Sequence, residues 1–249
     1  MTKKLSIIRV WESVGITQHW GGPWATRRLA EFCKIGYGTK VLDVGCGTGY
    51  AACVLAKKYG AEVTALDVSK DLLSEARKRA KRFNVQDRVS FVQANAHHLP
   101  FRSGSFDVVI SESVLAFCDA KKVGKEIRRV LKSGGLFGSN EATFLKKVSK
   151  EYEEVFRHGL GGKFFAHTER EWKSIYKSVG FEVLHSEAHR ETPMDDFMSH
   201  MVIDGPWAFM KRVGVVFDPK LRWILNPTMI RRIFDLMNYA GYGLYICKK

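Results

Sequence analysis

The chain has 249 residues, 45% hydrophobic and 27% charged, which excludes a fibrous or disordered protein and suits one globular domain with a sizeable core. A formal charge of +14 admits RNA or an anionic membrane surface as partner, but the basic residues of Arg77–Arg82 and Lys121–Lys132 are strewn over helix-like stretches with acids interspersed, so a solvating role is expected. No apolar run approaches the roughly 18 residues that cross a bilayer. Met1–Gly15 places Arg9 and Glu12 where a secretory signal is apolar, so a cytoplasmic protein with free thiols at Cys33, Cys46, Cys53, Cys118 and Cys247 and no metal site is expected.

From residue 41 short β-branched runs alternate with longer amphipathic stretches, the pattern of strands and crossover helices in a parallel sheet. Val41–Val44 reads as the first strand and Tyr50–Tyr59 as the helix after it. Glu62–Leu66 is the second strand, and Lys70–Phe83 is a helix that Ser69 is placed to cap. Val89–Gln93 and Phe106–Ser111 are the third and fourth strands. A helix over Lys121–Leu131 stops at the Ser133-Gly134-Gly135 turn, ahead of a fifth strand at Leu136–Ala142. Thr168 and Glu171 form a capping box for the next helix, followed by a strand at Phe181–Ser186 and a last strand at Tyr242–Cys247. The stretch between those two strands, rich in Met, Trp and Phe and broken by Pro206, Pro219 and Pro227, reads as a helical insertion.

The segment Val41-Leu42-Asp43-Val44-Gly45-Cys46-Gly47-Thr48-Gly49-Tyr50 is a strand running into a glycine turn that opens a helix. Glycines there admit positive φ and let a ligand lie against backbone whose helix N-terminal amides attract an anionic group. A nucleotide-like ligand is implied. Asp67 ends the second strand, where an acid can accept from both ribose hydroxyls. Gly47-Thr48-Gly49-Tyr50-Ala51-Ala52 also satisfies the dinucleotide fingerprint, so the turn by itself leaves a dehydrogenase open.

Asp43-Val44-Gly45-Cys46-Gly47-Thr48-Gly49 resembles motif I of class I S-adenosylmethionine-dependent methyltransferases. Downstream, Ala94-Asn95-Ala96 with Leu99-Pro100-Phe101 resembles the adenine-contacting motif, Phe106-Asp107-Val108-Val109 the fourth-strand motif, and Arg129-Val130-Leu131-Lys132-Ser133-Gly134-Gly135 the stretch before the fifth strand. The resemblance covers about residues 38 to 142 and is closest to the UbiE/COQ5-like small-molecule branch. It implies an α/β, Rossmann-like, seven-stranded, mostly parallel sheet with helices on both faces and the last strand antiparallel. It also implies a division into N-terminal lid helices over 1–37, a cofactor-binding core over 38–187, the substrate-cover insertion over 188–240 and the last strand over 241–249. S-adenosylmethionine is the implied cofactor. Asp43, Gly45, Cys46, Gly47 and Gly49 would line its amino-acid end and Asp67 its ribose. Val68, Asn95 and Ala96 would meet the adenine, and Ser111 completes the implied cofactor set. The family usually has Asp where this chain has Asn95, and an amide oxygen can still accept from the adenine amino group.

Methyl transfer is an in-line displacement at an activated carbon, so alignment and water exclusion carry most of the work, and a base is needed only when the acceptor must lose a proton. Glu112 after the fourth strand and Glu141 at the end of the fifth are the carboxylates placed to hold an amine or take a proton. His19 and Trp20, in Gln18-His19-Trp20-Gly21-Gly22-Pro23-Trp24-Ala25-Thr26, resemble the His-containing segment that closes over the cofactor in sterol and quinone methyltransferases. Trp20, Phe117 and Trp207 are the expected substrate contacts, suiting a bulky apolar small molecule, with an amine as the other acceptor class. An RNA or protein acceptor is the alternative, supported by charge alone.

Overall fold

The computed structural model describes residues 19–150, 153–154, 164–190, 203 and 239–249. The expected insertion, with Trp207, falls almost entirely outside them. The described elements are α1 (Gly22–Phe32), β1 (Lys40–Val44), α2 (Tyr50–Tyr59), β2 (Glu62–Asp67), α3 (Lys70–Phe83), β3 (Val89–Gln93), β4 (Phe106–Glu112), a 3₁₀ turn (Leu115–Phe117), α4 (Ala120–Val130), β5 (Leu131–Phe144), β6 (His167–Thr168), α5 (Glu169–Ser178), β7 (Glu182–Arg190) and β8 (Ala240–Lys248).

The strands lie in the order β3-β2-β1-β4-β5-β8-β7, with the two-residue β6 paired to β5. Neighbours from β3 to β5 are parallel, and β8 runs antiparallel to both β5 and β7. This is the expected α/β arrangement with one short extra strand. The order reverses between β1 and β4, so the connections leaving these two strands turn to opposite sides and open a crevice at their carboxyl ends.

Sequence pattern explains these elements. Val41 and Leu42 of β1, which point to opposite faces, are both fully buried, as a strand covered on both faces requires. The Ser69 hydroxyl accepts from the Leu72 amide and starts α3, and Thr168 with Glu171 forms the capping box of α5. That helix buries Trp172 and Tyr176 on the sheet, with the Trp172 indole donating to the Ala142 carbonyl at 3.0 Å.

Three details depart from the sequence reading. The helix expected to include Leu131 ends at Val130, because Leu131 already pairs with Phe106 in the sheet. The register then shifts and resumes at Val108 opposite Leu136, so Lys132–Gly135 bulges out. Two of the supposedly solvating cations are structural. Arg79 is buried with its guanidinium 5.8 Å from the Tyr50 ring centre, and Arg129 donates to the carbonyls of Leu99 and Phe101 while pairing with Glu126.

Candidate functional site

The glycine turn stands at the mouth of the crevice. The amides of Gly45 and Cys46 donate to the Leu66 carbonyl at 2.7 and 2.9 Å, which pins the turn to the end of β2. Gly45 has φ 74° and Gly47 φ 51°. A Cβ on Gly45 would collide with the Val114 side chain, whereas one on Gly47 would meet nothing within 4 Å and would occupy open crevice.

Asp67 accepts from the Gly47 amide on one carboxylate oxygen and from the Ser69 amide on the other, both at 2.9 Å. These bonds orient the carboxylate and leave further lone pairs for hydroxyl donors. Val68 beside it is 60% exposed, an apolar side chain left uncovered at the rim. The Gln93 side chain donates through Nε2 to the Val68 carbonyl and the Ala94 backbone amide donates to the Asp67 carbonyl, so the loop after β3 is fastened to the same rim. There Ala96 is buried, and Asn95 turns its side-chain oxygen to the backbone and ring nitrogens of His97 at 2.9 Å. An open glycine face, an oriented carboxylate and an exposed apolar rim fit the amino-acid, ribose and adenine parts of S-adenosylmethionine respectively.

Other residues of the expected set lie deeper. Asp43 is buried beneath the turn and accepts from the Ala52 amide of α2; burial first, then the charges of Glu112 and Asp67, hold its carboxyl well above the usual range. Cys46 is likewise held up, by burial and then by Asp43 and Asp67, so its thiol stays protonated. Ser111, expected at the cofactor, is fully buried between Val44 and Ser139 on the sheet face away from Glu112.

Glu112 ends β4 opposite Asn140 of β5, 8% exposed. Its two oxygens accept from the Thr26 hydroxyl of α1 at 3.0 and 3.2 Å, and Oε2 also accepts from Asn140 Nδ2 at 3.4 Å. His19 Nε2 lies 3.6 Å from the same oxygen and 3.3 Å from the Thr26 hydroxyl. Trp20 is anchored at both backbone groups: its amide donates to Ser113 Oγ at 3.1 Å, and its carbonyl accepts from Asn140 Nδ2 at 2.6 Å. Ser113 has φ 61°, a left-handed conformation that turns the chain sharply after Glu112.

Glu141, expected beside Glu112, is corrected by the pleat. One residue beyond Asn140, it points to the opposite face, fully buried, and its oxygens accept from the amides of Val114, Leu115 and Ala116. Burial pushes it up to about 8 against those three donors. Its place is to fix the 3₁₀ turn that presents Phe117, whose ring packs against Phe164 at 4.9 Å. The structure thus gathers Glu112, His19 and Trp20, and adds Thr26, Ser113 and Asn140, which the sequence reading missed. Thr26 lies in the same segment as His19, one turn into α1, but nothing local marked its hydroxyl, and Asn140 carried no signal until strand register placed it opposite Glu112.

A family model described as a methyltransferase domain matches residues 42–138. The chain is 44% identical over 115 residues to the methyltransferase GfsG of Streptomyces halstedii, covering 46% of this chain and 41% of that protein. It is 30% identical over 232 residues to an uncharacterised protein of Haemophilus influenzae, covering 90% of this chain and 88% of that one. A sterol 24-C-methyltransferase of Gibberella zeae is 35% identical over 178 residues, 64% of this chain and 43% of that enzyme. The chain therefore spans about two fifths of the length of the two named enzymes. Among solved structures, phosphoethanolamine N-methyltransferase 2 of Haemonchus contortus in complex with S-adenosyl-L-methionine superposes with a TM-score of 0.71 at 20% identity, over 97% of this chain and 56% of that one. Among the described residues no helix is long and apolar enough to cross a membrane.

Proposed function

Because the chain belongs to the class I S-adenosylmethionine-dependent methyltransferases, we propose that it methylates a small, bulky apolar acceptor of lipid, quinone or sterol type, or an amine, with Glu112 as the residue that meets the reacting group. The observation that carries this reading is the buried polar cluster of Glu112, Thr26, His19 and Asn140 beneath the doubly anchored Trp20. A carboxylate held by a hydroxyl, an amide and an imidazole in a largely buried place is preorganised to accept a proton or hold a cation.

In this reading the open face of Gly47 takes the amino-acid end of the cofactor, Asp67 the ribose hydroxyls, and Val68, Asn95 and Ala96 the adenine. When bound, S-adenosylmethionine supplies a methyl carbon activated by the neighbouring sulfonium. Glu112 takes the proton of a hydroxyl or carbon acid, or holds an acceptor ammonium group at its side. His19 and Trp20 cover the reacting atoms and keep water out. Phe117 lines the acceptor side.

Support for a small apolar acceptor comes from the sterol methyltransferase among the relatives and from Trp20 and Phe117 at the crevice. Incubating cell extract with methyl-labelled S-adenosylmethionine and the protein, then profiling labelled products by mass spectrometry, tests it. A labelled apolar small molecule is expected, and label confined to RNA or protein defeats the proposal.

A further inference from the structure

Beside Tyr50, residues of α1, α2 and the end of α3 line an open recess of about 320 Å³ that takes no part in the proposed reaction. Pro23, Val54 and Phe83 give it apolar walls, and Tyr59 lines it as well. Arg27, Lys57 and Lys58 also line it, and all three are exposed residues. None of the three has a carboxylate at ion-pair distance among the described residues. Glu31, the acid whose charge reaches Tyr59, lies 3.9 Å from Arg28 instead. The recess thus combines an apolar interior with three positive charges at its edge that have no carboxylate partner among the described residues, Lys58 lying 5.6 Å from the Tyr59 ring centre.

Its volume falls at the small end of the roughly 300–1,000 Å³ usual for ligand pockets, enough for one ring or a short chain. A concave recess of this size takes a single molecule, whereas a flat bilayer surface would touch only its rim. Charge complementarity selects an anion, and the apolar walls select one that carries a hydrophobic body. We propose that this recess binds a small amphipathic anion, a carboxylate or phosphate monoester on a single ring or short alkyl chain. Its charge lies against Arg27, Lys57 and Lys58, and its apolar body sits between Pro23, Val54 and Phe83. The proposal does not depend on methyl transfer. Tyr50 lines the recess, and its ring centre is 6.1 Å from that of His19 in the candidate site.

Ligand-observed NMR titration of the whole chain with octanoate, octyl phosphate, octan-1-ol and inorganic phosphate tests it. Octanoate and octyl phosphate should bind, with octanol and inorganic phosphate at least tenfold weaker. The charge reversal Lys57→Glu with Lys58→Glu should weaken octanoate at least tenfold, as should Val54→Trp, which fills the recess, while S-adenosylhomocysteine affinity holds. The lysine variant changes two exposed side chains and keeps the test alive if Val54→Trp does not fold. Octanol binding as tightly as octanoate, inorganic phosphate as tightly as octyl phosphate, or octanoate indifferent to the lysine reversal would each overturn the proposal.

Discussion

The side-chain amide of Asn140 donates to the carbonyl of Trp20 at 2.6 Å, joining the end of β5 to a segment 120 residues earlier in the chain. The same nitrogen reaches Glu112, so one side chain holds both the cover and the carboxylate beneath it. Asn140→Ala strands the Trp20 carbonyl and takes one donor from Glu112, which keeps the Thr26 hydroxyl, and costs about 1–3 kcal/mol. For a chain of this size that is a fall in Tm of roughly 2–12 °C. Calorimetry should find this fall together with faster trypsin cleavage at Arg27 or Arg28, and an unchanged Tm would show that the anchor is dispensable.

The two glycines at the turn separate folding from binding. Gly45→Ala drives a methyl into Val114 at φ 74°, so it should disrupt the turn and lower Tm strongly. Gly47→Ala meets only the left-handed penalty of about 1–2 kcal/mol, because its Cβ enters open space. Isothermal titration should nevertheless show S-adenosylhomocysteine binding to Gly47→Ala at least tenfold weaker, since the added methyl stands where the cofactor's amino-acid end is placed. Wild-type affinity in that variant would move the cofactor elsewhere.

Such effects mark what was legible in the chain. The glycine turn, Asp67 and the caps at Ser69 and Thr168 are local, each written within about four residues or at one strand end, and the sequence reading located them. The Glu112 cluster is assembled from α1, β4 and β5, and its partners are set by strand register, which no local pattern encodes. Glu141 illustrates the cost. The nearness of the fourth and fifth strand ends suggested a pair with Glu112, but the two-residue pleat turns Glu141, next to Asn140, to the opposite face. Leu131 was misread because an apolar residue after Val130 continues a helical stripe as well as it begins a strand.

Glu141 also gives the protein a pH dependence. Its folded pKa of about 8 lies above the ordinary 4.5, so between these values the native state binds more protons than the unfolded chain. Stability from this group is therefore full below about pH 4.5 and is lost as pH rises through about 8. Asp43 is raised as well and acts in the same sense, while burial lowers His167, which acts in the opposite one. The difference between wild type and Glu141→Gln isolates the single group. Denaturant unfolding at several pH values from 5 to 8.5 should show the wild type losing stability relative to the variant as pH rises. Parallel curves would mean that the three amides of the 3₁₀ turn keep Glu141 ionised throughout.

The Glu112 cluster makes the sharpest claim about chemistry, and its two possible tasks leave different kinetic marks. If Glu112 takes a proton from the acceptor, Glu112→Gln removes the base and lowers kcat by about 10²–10⁴-fold, with the acceptor KM little changed. If it holds an acceptor ammonium group, the same change mainly raises KM, because binding to substrate and transition state is lost together. Thr26 touches the carboxylate through its hydroxyl alone, so Thr26→Val should shift the same parameter in the same direction by less, and Thr26→Ser should restore it. S-adenosylhomocysteine affinity should stay near wild type in all three, because its expected contacts lie on the glycine turn and the rims of β2 and β3. Steady-state kinetics on the acceptor found by isotope labelling, with calorimetry for the product, gives every one of these numbers. Glu112→Gln turning over at the wild-type rate and KM would remove Glu112 from the reaction and leave it as the buried tie between α1 and β4.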